Sequence, residues 1–205
     1  MNDPIGRISL QVELVAGSTR AWIQAGGVLG FALATALGAQ ITVPVPGTPV
    51  PITLQTLFVV LAGMTLGPRL GAASMGLYLL LGMTGYHVFS PNAWGAETIF
   101  RSTGGYLLGF LAAAPVIGHL TRRAKGGVAG LTLAAIVGSA IIFGFGLGWL
   151  HVWMSDANSA HTLGDTVRLG LIPFVPGLIG KTVVATAGGR LLYPISRKYF
   201  DVRGA

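Results

Sequence analysis

The chain has 205 residues, 52% of them hydrophobic and only 9% charged, with a mean hydropathy of +0.71. A soluble domain carries about 25% charged residues, so the composition excludes one and indicates an all-α, polytopic protein of the lipid bilayer. The lack of cysteine excludes disulfides, cysteine nucleophiles and thiolate metal sites. The net charge of +7 does not indicate nucleic acid as a partner, because the basic residues fall at the ends of apolar segments and do not line one soluble face.

Residues 1–20 include Asp3, Arg7, Glu13 and Arg20 and have no continuous apolar core, which predicts a cytoplasmic segment and not a cleavable signal. Apolar stretches follow at 21–40, 53–67, 70–86, 104–121, 127–151 and 167–194. Each spans or nearly spans a hydrocarbon core of about 30 Å. The expectation is a six-helix membrane domain over 21–195, with 196–205 as a cytoplasmic tail.

In the first helix Gly26, Gly30, Ala34 and Gly38 recur at every fourth position. Such a small-residue stripe lets another helix approach closely, either within the chain or in a partner membrane protein. The second and third helices are separated by Gly67, Pro68 and Arg69, which predicts a tight hairpin. Between the first and second, "ITVPVPGTPVPITLQT" holds prolines 44, 46, 49 and 51 and reads as an ordered, extended cap on the bundle. The loop "YHVFSPNAWGAETIFRSTGGY" mixes aromatic residues with Asn92, Glu97, Arg101 and Thr103, the composition of a ligand lid. Pro173 and Pro176 should break the sixth segment near Lys181.

Charge sets the orientation. With both termini in the cytoplasm, ten of the thirteen cations lie inside: Arg7, Arg20, Arg69, Arg122, Arg123, Lys125, Arg190, Arg197, Lys198 and Arg203. Arg101 and Arg168 then lie outside and Lys181 within the membrane, where a lysine costs about 2.5–3.5 kcal/mol on the insertion scale. "GLIGKT" resembles the end of a phosphate loop, but the required first glycine is replaced by Val175 and both flanks are apolar. Lys181 is thus read as a ligand contact. His87, His119, His151 and His161 lack the paired helical spacing of a metal site. No acid lies within a span, which argues against an intramembrane protease or a metal-dependent transferase.

Three motifs, "PITLQT", "GPRLGA" and "TGGYLLGF", make residues 30–195 resemble the BioY family, the biotin-specific S components of energy-coupling factor (ECF) transporters. The resemblance implies an S-component bundle of six helices in a prokaryotic cell membrane, binding biotin from the outer side. It implies no catalysis and no cofactor, since ATP is hydrolysed by two ATPase subunits that act through a transmembrane coupling protein. It places that coupling protein on Gly26, Gly30, Ala34 and Gly38. The family's last helix carries Pro-Gly-Asp-x-x-Lys; here Lys181 matches the lysine and Leu178 stands at the aspartate. Asn92 offers a donor and an acceptor to a ureido group, supplemented by Thr53, Gln55 or Thr103. Phe89 and Trp94 are placed against the fused rings, and Arg101 and Tyr106 complete the candidate set. An S component for another vitamin is the rival reading.

Overall fold

The structure is a computed structural model that describes residues 4–90, 93, 95–157 and 161–200, with the side chains of 4–16 and 157 outside that description. Helix α1 (Pro4–Gln40) leads into a two-stranded antiparallel hairpin, β1 (Thr42–Val43) and β2 (Ile52–Thr53), with Thr42 paired to Thr53. Helix α2 (Gln55–Met83) follows, then a 3₁₀ turn (Ala96–Phe100), α3 (Gly104–Ala124) and α4 (Val128–Ala157). The chain closes with α5 (Leu163–Gly170), a 3₁₀ turn (Ile172–Phe174), α6 (Val175–Ile195) and a last π turn to Phe200. Residues 4–16 already belong to α1, which therefore starts well ahead of its apolar part.

Among the described residues five stretches are long and apolar enough to cross a membrane, not the six expected: Gly17–Gln40, Gln55–Met83, Gly104–Ala124, Val128–Asp156 and Leu163–Phe200. The expected second and third helices are the two arms of α2. Gly67 breaks that helix at φ 78° and ψ −174°. A Cβ on Gly71 would stand 3.3 Å from the Gly63 Cα, whereas eight residues of straight helix cover about 12 Å. The chain folds back at Gly67, Pro68 and Arg69 as the residues predict, and each arm falls short of the roughly 20 residues of a full span.

Helix α3 seals the hairpin through glycine. A Cβ on Gly118 would lie 2.4 Å from the Gly67 carbonyl carbon and 2.5 Å from the Pro68 nitrogen. The Arg122 guanidinium covers the same turn and donates to the Phe200 carbonyl at 3.0 Å. Arg20 Nε and Gln24 Nε2 donate to the Tyr199 carbonyl at 3.2 and 2.9 Å. The final turn is thereby held against α1 and α3 at the end of the bundle that carries Arg20, Arg69 and Arg122.

At the other end, the proline-rich segment and the 84–103 loop form a joined roof. Ser102 Oγ donates to the Pro49 carbonyl at 3.4 Å, and Gln40 Nε2 donates to the carbonyls of Phe89 and His87 at 2.7 and 3.2 Å. The cap expected at 41–56 is thus a short hairpin whose first and last strands pair.

Candidate functional site

Under this roof lies a cavity walled by β2 and the residues before it, the first turn of α2, the 84–103 loop, α3, α4, the 3₁₀ turn at Phe174 and α6. Its polar corner is built at the start of α2, where Thr53, Gln55 and Thr56 meet Lys181 of α6. Pro173 and Pro176 sit in the first turns of their helices, where a missing N–H leaves no bond unmade. The break they create lets α6 begin at Val175, beside the cavity. Lys181 is half-buried and its Nζ donates to the Thr53 carbonyl at 2.6 Å and to Thr56 Oγ1 at 3.0 Å. Both partners are neutral oxygens. Gly180 lies in the second turn of α6, so its N–H belongs to the helix and is not free to cradle a phosphate.

The opposite walls are aromatic. Tyr106 and Phe143 meet edge to face at 5.8 Å, and Phe143 meets Phe174 at the same distance. The Tyr106 hydroxyl donates to the Gly170 carbonyl at 2.9 Å, so its ring serves the cavity while its oxygen ties α3 to α5. Phe89 is 1% exposed, and its ring fits against Gly82, where a Cβ would lie 2.1 Å away. The arrangement offers an aromatic-walled apolar slot with a cation and uncharged hydrogen-bonding groups in one corner, which suits an anionic, ring-bearing ligand.

Of the residues chosen from the sequence, Lys181, Phe89, Thr103, Tyr106, Thr53 and Gln55 line this cavity. Arg101 does not; it borders an outer depression that shares Pro51, Ser90, Ala93 and Thr103 with the cavity. Arg101 therefore stands at the mouth. Asn92 and Trp94 lie outside the described residues, although Ala93 between them lines the wall. Leu178 also lines the wall, so the position matching the family's aspartate does face the cavity. Sequence reasoning missed Thr56, Phe110, Phe143 and Phe174.

Gly38 needs correcting as a docking residue. It is buried, and a Cβ there would meet the Phe58 ring at 2.7 Å, so it packs inside its own chain. Gly26 and Gly30 are exposed with nothing within 4 Å of an added Cβ, and Ala34 is half-buried. Each step of four residues turns about 40° around a helix of 3.6 residues per turn, so the stripe winds from the open face at Gly26 to the packed face at Gly38. Two of the four histidines share a partner in the protein: His151 Nδ1 and His161 Nε2 lie 2.9 and 2.8 Å from Thr166 Oγ1.

Comparison with known proteins gives consistent matches. The BioY family pattern matches residues 15–198. The biotin transporter BioY of Thermotoga maritima is 36% identical over 155 residues, covering 76% of this chain and 86% of that protein. The biotin transporter BioY of Rhizobium etli is 34% identical over 176 residues, covering 80% and 90%. The crystal structure of the S-component for biotin from an ECF-type ABC transporter superposes with a TM-score of 0.76 at 22% identity, over 89% of this chain and 98% of that one. With most of its length inside the family pattern, the chain belongs to the BioY family.

Proposed function

We propose that the chain is the biotin-binding S component of an ECF-type importer in a prokaryotic cell membrane. The observation that carries this reading is Lys181, a membrane-depth cation that among the described residues meets only neutral oxygens, in an aromatic cavity roofed by two joined loops. Biotin brings a carboxylate to such a cation, fused rings to the aromatic walls and a ureido group to the neutral polar side chains. Thr53, Gln55, Thr103, Phe89, Tyr106 and Lys181 are the proposed contacts within the cavity, with Arg101 at its mouth and Asn92 and Trp94 from the same loop. The basic end of the bundle faces the cytoplasm with both termini, and the roof faces outward. Titration calorimetry of the purified protein with biotin, desthiobiotin, thiamine and riboflavin tests the assignment. Tight binding confined to the first two is expected; preference for either of the others ends it.

The cavity is tight, with a volume of about 60 Å³. A bicyclic ligand enters only as the roof yields. Residues 41–53 and 86–104 should therefore exchange amide hydrogens more slowly in saturating biotin than without it. Equal exchange in both conditions would remove the roof from the binding process.

ATP hydrolysis is assigned to two ATPase subunits acting through a membrane coupling protein, which is proposed to dock on the open face at Gly26 and Gly30, with Ala34 at its edge. Gly26→Leu or Gly30→Leu should abolish co-purification with the coupling protein and leave biotin binding close to wild type, because a large side chain pushes the two backbones apart. Gly38→Leu should instead unsettle the isolated chain through Phe58. An intact complex in both Gly26→Leu and Gly30→Leu would move the docking surface elsewhere.

A further inference from the structure

A glutamine amide has two N–H donors and two carbonyl lone pairs. Gln55 is 7% exposed, and among the described residues half of this capacity is engaged: Thr53 Oγ1 donates to Oε1 at 2.9 Å and Nε2 donates to the Tyr78 hydroxyl. The same Thr53 hydroxyl accepts the Gln55 backbone N–H at 3.4 Å, which leaves its own proton for Oε1. Turning the amide over exchanges the roles but leaves the same remainder, one donor and one acceptor. Gln55 borders the cavity, which leaves this donor and acceptor for a ligand there.

An adjacent N–H and C=O is matched by the same pair on the ligand, as found along the edge of an amide, a lactam or a cyclic urea. Each partner then gives one hydrogen bond and receives one. An ionised carboxylate has no proton to return and would set its lone pairs against Oε1. Leu178, facing the cavity from α6, supplies no polar atom to compete for this role. Resting on the reading of the cavity as a biotin site, we propose that Gln55 reads the ureido edge of the ligand and that Tyr78 is the positioning residue that holds its amide ready.

Tyr78 is built for holding. It is fully buried, lies on the second arm of α2 and reaches Gln55 at the head of the first, so the hydroxyl crosses the hairpin to meet the amide. Its ring meets Phe89 edge to face at 5.5 Å, with the planes at 81°. Phe89 in turn lines the cavity. A glutamine fixed beforehand on both sides loses little rotamer freedom when the ligand arrives, which is how preorganisation raises affinity.

The test is a double-mutant cycle on the full-length purified protein, read by titration with biotin and with biotinamide, which keeps the ureido ring and lacks the carboxylate. Gln55→Leu should weaken both ligands by about 10- to 100-fold, the range for a buried hydrogen-bonding group left without its partner. Gln55→Glu, close in shape, should do likewise because it keeps acceptors and loses the donor. Tyr78→Phe should weaken both by about 5- to 10-fold while ligand-free thermal unfolding shifts little. Combined with Gln55→Leu, it should add nothing, since no amide remains to be oriented. An additive loss would make Tyr78 a packing residue and overturn the positioning role. Unchanged affinity in both Gln55 variants, or a loss confined to the acid, would overturn the ureido assignment. Failure of the wild type to bind biotin would instead sink the functional reading and this inference with it, whereas tight wild-type binding with indifferent variants sinks this inference alone.

Discussion

Lys181→Ala should lose about 2–5 kcal/mol of biotin affinity, the usual cost of removing one member of a desolvated charge pair, and should still fold. Folding survives because Nζ contacts oxygens that border the cavity, the Thr53 carbonyl and Thr56 Oγ1, and water can replace it there. Lys181→Arg should lose less, since it keeps the charge and changes the geometry. The charge argument makes a stronger demand. Biotinamide should bind the wild type poorly and lose little more in Lys181→Ala, because no anion remains to miss the cation. Calorimetric titration of both ligands against both proteins decides the point. Equal losses for acid and amide would show that Lys181 does not hold the carboxylate, and Arg101 at the cavity mouth would take that role.

Gly118→Ala should destabilise the protein by about 1–3 kcal/mol, the range for overpacking a filled interior. The atoms that a Cβ would strike, Gly67 C, Pro68 N and Gly67 Cα, all belong to backbone at the turn of the α2 hairpin and cannot rotate away. Gly144→Ala on α4 is the control. Nothing lies within 4 Å of its added Cβ, so the better helix propensity of alanine, about 1 kcal/mol, should leave stability unchanged or raised. Thermal unfolding in detergent separates the two. If both substitutions behave alike, the hairpin does not depend on contact with α3.

The parts of the site that were legible in the sequence were those that cost something in lipid. Lys181 announces itself because a charge inside an apolar helix demands a reason, and Gln55 and Thr53 stand out beside four prolines in an outer segment. Phe143 and Phe110 carry no such mark. In a membrane bundle the lipid-facing and cavity-facing sides are both apolar, so hydrophobic periodicity cannot separate them. A weak signal did exist: Phe110 follows Tyr106 by four residues, and Phe174 and Leu178 precede Lys181 by seven and three, all within one helical face. The count of helices missed for a different reason. Apolarity reports which residues tolerate lipid and says nothing of how deep a segment travels before Gly67 turns it back. The small-residue stripe failed at Gly38 because a spacing of four is not the helical period.

An ammonium group has three hydrogens, and at Lys181 two of them are committed, one to the strand that closes the outer hairpin and one to the first turn of α2. If Lys181 holds the carboxylate as proposed, the third goes to the cargo, and a single nitrogen becomes the joint where roof, helix and cargo meet. By thermodynamic reciprocity, whatever the bound ligand adds to the grip on Thr53, Thr53 adds to the grip on the ligand. Sliding α6 along its axis would pull on all three attachments at once, so discharge should occur as one event in which the outer cover and the vitamin are let go together.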